Sequence, residues 1–170
     1  MPQTQKFLDF LNENTAVIRK VCRLYTDTPN DFNDYFQEVV LQLWKSFGSF
    51  RGDAKASTWV YRVALNVCLS QLKRRKRQVI STPIDANATQ HWAYTAYDTT
   101  EEEQIQQLYA AIRQLKEFDR AIIMLYLEEQ SYDEIADILG ISQSNVGVRI
   151  NRIKKQLNQL IHGRTTGTLA

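Results

Sequence analysis

The sequence predicts an all-α protein, two small helical domains joined by a flexible linker. Three observations carry this expectation. Apolar residues recur at three-to-four spacing through both halves of the chain, the period of a helix with one buried side. Between those halves, residues 78–100 lose the period and collect Thr, Asn, Ala and Gln around Pro83. Near the C-terminus, residues 131–146 spell out a helix-turn-helix. A chain of 170 residues and 19.8 kDa suits one medium domain or two small ones, and 44% hydrophobic content is enough for a core. The expected organisation is a first domain over 1–77, a linker over 78–100, a second domain over 101–163 and a tail over 164–170.

The first domain opens with Phe7, Leu8, Leu11, Val17, Ile18, Val21, Leu24 and Tyr25, which read as one helix or two short ones. Thr26-Asp27-Thr28-Pro29-Asn30 breaks that pattern. A second helix follows, with Phe32, Tyr35, Phe36, Val39, Val40, Leu43, Trp44 and Phe47 on its apolar side. Residues 50–56 form a polar loop. Ser57 or Thr58 then caps a long helix carrying Trp59, Val63, Val67 and Leu72 at helical intervals, which runs out into Lys73-Arg74-Arg75-Lys76-Arg77. The linker is acidic, but Ile84, Trp92, Tyr94 and Tyr97 make it too apolar for an inert tether. Fully extended it spans roughly 75–80 Å, against about 25–30 Å as a random coil. The second domain starts at Glu101 with Ile105, Leu108, Ile112 and Leu115, and a helix around residues 121–127 leads into the helix-turn-helix.

Within that motif, Ala136 is small where two helices cross, and Gly140 permits the left-handed turn that ends the first helix. Ile135, Leu139, Ile141 and Val146 form the seam, and Ser142 or Ser144 caps the second helix. That second helix is the one offered to a major groove, so duplex DNA is the leading ligand. Val146, Ile150, Ile153, Leu157 and Leu160 must face the domain interior, which leaves Asn145, Arg149, Asn151, Arg152 and Lys155 on polar sides. Arg bonds guanine edges bidentately and Asn does so with adenine. The competing reading pairs Arg149 and Arg152 inside the domain with Glu128, Glu129 or Glu134.

The net charge of +2 says little about nucleic acid, but its distribution says more. A pure basic run at residues 73–77 precedes a stretch with no Lys or Arg before Arg113, which holds Asp85, Asp98, Glu101, Glu102 and Glu103. Cys22 and Cys68 are far apart and His91 and His162 stand alone, so no metal site, disulfide framework or cofactor is expected. No phosphate-binding glycine loop and no Ser-His-Asp arrangement is present, and the chain is not expected to be an enzyme. No apolar run approaches the ~20 residues a membrane helix needs. The expectation is a reduced, soluble, cytoplasmic protein without membrane insertion.

Three segments, in register, resemble the extracytoplasmic-function sigma factors, two-domain subunits of bacterial transcription initiation. The first is Asp34-Tyr35-Phe36-Gln37-Glu38-Val39-Val40-Leu41-Gln42-Leu43-Trp44. The second is Phe50-Arg51-Gly52-Asp53 followed by Thr58-Trp59-Val60-Tyr61-Arg62-Val63-Ala64-Leu65-Asn66. The third is the helix-turn-helix with Arg149-Ile150-Asn151-Arg152-Ile153-Lys154-Lys155 after it. The resemblance implies that Asp34, Gln37, Glu38 and Leu41, which share a helix face, dock on the clamp coiled coil of the polymerase beta-prime subunit. The plain alternative for this face is solvation. The resemblance also implies that Phe50, Arg51, Thr58, Trp59, Arg62, Asn66, Lys73, Arg74 and Arg75 bind the minus-ten element, Phe50 and Asn66 forming a pocket for a flipped base. For Trp59, core packing competes with that role. Ser144, Asn145, Arg149, Asn151, Arg152 and Lys155 would read the minus-thirty-five element, although helix capping alone accounts for Ser144 and Asn145. The implied partners are core polymerase (clamp coiled coil and beta flap), promoter DNA and an anti-sigma factor.

The chain departs from that pattern at Ala56-Ser57, where relatives often carry an aromatic, and at Gly147-Val148, where they commonly have a basic residue and then Ser. At Gly147 either the backbone approaches DNA closely or this contact is weaker. Two other functions fit the residues: a stand-alone helix-turn-helix regulator, and a degenerate sigma-like module acting through protein partners.

Overall fold

A computed structural model of the chain describes residues 2–79 and 100–163, and every regular element among them is an α-helix. Most of the expected linker and all of the expected tail lie outside these residues. Helix α1 (Gln3–Leu24) is one continuous helix rather than two. Its buried side is Phe7, Ile18, Val21, Cys22 and Leu24, while Leu8, expected on that side, is exposed. Thr28 accepts the Asp31 N–H at 3.2 Å and starts α2 (Pro29–Phe47), with Pro29 in the first turn where its missing N–H costs nothing. Phe32, Tyr35, Val39 and Leu43 bury one side of α2.

Helix α3 (Ala56–Val79) begins one residue ahead of Ser57 and two ahead of Thr58, the residues expected to cap it. Lys55 supplies the first carbonyl, accepting the Trp59 N–H at 3.2 Å. The buried side of α3 is also not the one its large residues suggest: Val60, Tyr61, Ala64, Leu65 and Cys68 face the core. Val63 and Val67 are only half-buried. The reason is that α3 packs on both α1 and α2, so two helices compete for its surface and small Ala64 sits at the centre. Cys22 and Cys68 meet in this core as free thiols. Hydrogen bonding to Cys22, and then burial, pushes the Cys68 thiol far above its usual range.

The second unit is built from α4 (Thr100–Ile112), α5 (Glu117–Leu127), α6 (Tyr132–Leu139) and α7 (Gln143–His162). Of the described α4 side chains, Ala111 and Ile112 at its end face the core, with Leu115 beyond them, whereas Ile105 is 53% exposed. Ser131 caps α6 in a reciprocal box. Its hydroxyl accepts the Glu134 N–H at 3.1 Å, and the Glu134 carboxylate accepts the Ser131 N–H at 2.9 Å. Gly140 ends α6 in the left-handed region, with φ 68°, and both its N–H and that of Ile141 return to the Ala136 carbonyl. Ser142, not Ser144, caps α7 by accepting the Asn145 N–H at 3.2 Å. Helix α7 packs against α4, α5 and α6, with Val146, Ile150 and Ile153 fully buried and Leu157 nearly so.

Two outcomes follow from this packing. Gly140→Ala puts a Cβ on a left-handed residue, and urea unfolding should show a loss of about 1–2 kcal/mol. Gly52, also at positive φ, lies in an exposed loop and serves as the comparison. Native Cys22 and Cys68 should resist thiol alkylation until the chain unfolds. Because the folded Cys68 keeps a proton that the unfolded chain releases above about pH 8.5, stability should be complete below that pH and decline as pH rises beyond it. Thermal melts between pH 7 and pH 10 measure the decline.

Candidate functional site

In the first unit the polar side of α2 is open. Asp34, Gln37 and Leu41 are exposed and Glu38 is half-buried, on the side opposite Tyr35, Val39 and Leu43. Between α2 and α3 runs a shallow groove of about 410 Å³, lined by Glu38, Gln42, Val63, Asn66, Val67, Ser70, Gln71 and Arg74. The groove is why Val63 and Val67 are half-buried. It carries an acid from α2, an amide and a cation from α3, and an apolar floor.

The first turn of α3 is arranged differently. Phe50 stacks on Trp59 with ring centroids 4.6 Å apart and 23° between planes, and Phe10 approaches both at 6.0 and 5.6 Å. Phe7 and Phe10 also meet Phe47, at 5.2 and 5.3 Å, and Phe7 meets Trp44 edge-on at 5.0 Å. This cluster joins α1, the end of α2 and the start of α3, each pair adding about 0.5–1.5 kcal/mol beyond burial. Thr58, expected to bind the minus-ten element, is 8% exposed, whereas Arg62 and Asn66 are exposed. Of the two residues expected to form a base pocket, Phe50 sits on Trp59, and Asn66, two turns along α3, lines the groove with Glu38 and Arg74. Arg51 is exposed on the loop between them.

The basic run occupies the last turns of α3. Lys73, Arg74 and Arg75 are exposed, but Arg75 is held by Asp31 of α2 at 2.8 Å. Tyr35 lies beside that pair, and burial raises its phenol above the usual range against the opposing pull of Arg75. Arg75 therefore ties α3 to α2, whereas Lys73 and Arg74 leave their charge on the surface.

In the second unit, α7 presents Ser144, Asn145, Val148, Asn151, Arg152 and Lys155 to solvent, with Arg149 half-buried among them. The Ser144 hydroxyl lies 3.2 Å from that of Ser142. Both arginines are paired within the unit, but the acid is Asp119 of α5 rather than Glu128, Glu129 or Glu134. Arg149 Nη1 donates to Asp119 Oδ1 at 3.0 Å, and Arg152 Nη2 donates to both carboxylate oxygens at 3.3 and 3.2 Å. Arg149 Nε also donates to Asn145 Oδ1 at 3.2 Å, and its guanidinium lies over the Phe118 ring at 5.1 Å. A signal for Asp119 was present in the sequence. It precedes Ile122 and Ile123, both buried, by three and four residues, so it falls on the inward side of α5 and needs a cationic partner there.

A Cβ at Gly147 would lie 3.4 Å from the Tyr132 ring of α6, an ordinary van der Waals contact, so packing on α6 does not require glycine there. Tyr132 in turn lies 6.5 Å from Tyr126, whose hydroxyl accepts a 2.8 Å hydrogen bond from Lys154. Val148, next to Gly147, is 69% exposed in the middle of the polar side.

The sigma-70 region 2 family matches residues 10–78, and the sigma-70 region 4 family matches residues 105–157. The ECF RNA polymerase sigma-E factor of Escherichia coli is 30% identical over 141 residues, covering 77% of this chain and 74% of that protein. The ECF RNA polymerase sigma factor SigM of Mycobacterium tuberculosis is 28% identical over 154 residues, covering 88% and 74%. Among solved structures, the sigma factor RpoE of Bartonella quintana, in complex with the anti-sigma factor NepR, superposes with a TM-score of 0.72 at 21% identity, over 92% of this chain and 96% of that one. CnrH, in complex with the cytosolic domain of CnrY, gives 0.68 at 16% identity, over 95% and 91%. With a groove-bearing three-helix unit ahead of a capped helix-turn-helix, and with both conserved sigma regions matched in order, the chain belongs to the extracytoplasmic-function RNA polymerase sigma factors.

Proposed function

We propose a division of labour in which the first unit docks on core RNA polymerase and holds the melted minus-ten strand, while the second anchors on upstream duplex at the minus-thirty-five element. The observation that carries this reading is the separation of two unlike polar surfaces. One is an acidic and amide-bearing side of α2 with the α2–α3 groove beside it, and the other a cationic side of α7. Asp34, Gln37, Glu38 and Leu41 form the docking face, an exposed apolar residue flanked by acids and amides, suited to a basic helical partner such as the beta-prime clamp coiled coil. Region 4 would take the beta flap as its own polymerase partner.

Asn66, Arg62, Arg51, Lys73 and Arg74 contact the non-template strand, the amide bonding base edges and the cations neutralising phosphates. Phe50 and Trp59 serve that strand as a preformed stacked platform, with Thr58 buried in the same turn of α3 and Arg75 acting through Asp31 as a brace. Ser144, Asn145, Arg149, Asn151, Arg152 and Lys155 face the upstream major groove, and Val148 is placed to touch a thymine methyl. The chemistry of RNA synthesis belongs to the polymerase, and the site of action is the cytoplasm. The solved neighbours are complexed with the anti-sigma factor NepR and with the cytosolic domain of CnrY, and a protein antagonist of that kind suits this chain too.

Run-off transcription with purified core polymerase on genomic templates tests the reading. Transcripts from a restricted set of promoters are expected. Duplex binding without transcription would point instead to a stand-alone regulator, and neither activity to a titrating module. Glu38→Lys should lower affinity for core polymerase at least tenfold while leaving the melting temperature within a few degrees, and unchanged affinity contradicts the docking face. Asn66→Ala should cut open-complex formation, read by permanganate reactivity of unpaired thymines, by about tenfold. Its closed-complex affinity should stay near wild type, and equal losses in both measurements contradict the assignment.

A further inference from the structure

The two arginines proposed to read upstream DNA are not independent side chains. The Asp119 side chain is 6% exposed, whereas those of Arg149 and Arg152 are 31% and 59% exposed. One buried carboxylate from α5 thus grips two guanidinium groups, one turn apart on α7, from behind. Arg149 is held on three sides at once: by Asp119, by the Asn145 amide and by the face of Phe118. A guanidinium has five N–H donors. Arg149 spends Nε and one proton of Nη1 on these partners, which leaves Nη2 and the second Nη1 proton unspent. Arg152 spends only Nη2, leaving Nε and Nη1. Each group therefore keeps donors for an outside acceptor while its direction is set from inside the domain.

We propose that Asp119 is a positioning residue for base readout: by clamping Arg149 and Arg152 it turns two flexible cations into aimed donors, and it sets sequence preference rather than affinity. This rests on the assignment of α7 to upstream DNA. Asp119 itself is too buried to enter a groove, and a carboxylate facing phosphate or base acceptors would be repelled. What it changes is the freedom of the arginines. Long side chains lose several rotamers on forming a bidentate contact, and a guanidinium already fixed has less to lose when it meets the right guanine. A loose arginine finds any nearby phosphate instead. Asp119 also cancels one of the two positive charges, lowering the sequence-independent attraction that scales with charge. Both effects favour discrimination over grip.

The test uses the full-length chain assembled with core RNA polymerase and a pool of duplex DNA containing a randomised segment, with the bound fraction sequenced. For Asp119→Asn, which keeps the shape and removes the charge, preference at the base pairs read by Arg149 and Arg152 should flatten about tenfold. Retention of the unselected pool should be equal or higher and its salt dependence steeper by about one charge. Asp119→Glu should restore part of the preference. In an Arg149→Ala background, Asp119→Asn should flatten nothing further at the base pair Arg149 reads. Arg149→Lys, which keeps the charge without the fork, should flatten that same base pair even if Asp119→Asn proves too unstable to assay. Unchanged preference in a folded Asp119→Asn variant, or in Arg149→Lys, overturns the proposal. So does a parallel fall in selected and unselected binding, the mark of a purely structural residue. A wild-type complex that forms but shows no base preference overturns the DNA assignment of α7, and one that fails to form overturns the polymerase reading.

Discussion

The burial of one side of α7 is the constraint on which the second unit depends. Val146, Ile150, Ile153 and Leu157 fix the rotation of the helix against α4, α5 and α6, at about 1.5–3 kcal/mol for each fully buried aliphatic side chain. Once that rotation is fixed, the outward set follows with no further choice: Ser144, Asn145, Val148, Asn151, Arg152 and Lys155. The start of the helix is fixed just as firmly. The Ser131–Glu134 box, the left-handed Gly140 and the Ser142 cap define where α6 ends and α7 begins, so each outward residue has a defined height as well as a defined direction. A recognition surface needs both.

The first unit solves a different problem. Its three helices share one core, and α3 is contested by both neighbours, which leaves a groove along the α2–α3 side instead of a closed seam. The aromatic cluster around Phe10, Phe50 and Trp59 closes the opposite end and anchors the loop that follows α2. The Asp31–Arg75 pair adds a polar tie near the far end of α3, although Arg75 is substantially exposed and water screens the pair. Packing at one end of α3 and a brace at the other flank the groove between them.

Much of this was legible in the sequence, and the failures share a physical cause. Helix periods, the Thr26 to Asn30 break, the helix-turn-helix and the inward stripe of α7 all follow from spacing within a single element. What spacing cannot give is which neighbour claims a side. Val63 and Val67 read as the core side of α3, yet smaller Ala64 and Cys68 hold that place because two helices converge there. Arg149 and Arg152 read as candidates for an internal ion pair with acids near the turn, but the acid that holds them comes from α5, thirty residues away along the chain from Arg149. Ile105 and Leu8 show the converse, apolar residues with the right period that no described neighbour covers.

On the proposed division of labour, two structurally unlike units act on one promoter, one on melted strand and one on duplex. Footprinting a promoter that the chain transcribes, with core polymerase present, examines both at once. A protected duplex tract is expected upstream together with permanganate-reactive thymines near the start site, the upstream tract alone fading when Arg149 and Arg152 are replaced by Ala. Melting that proceeds with no protected upstream tract, or a tract indifferent to those replacements, would contradict it.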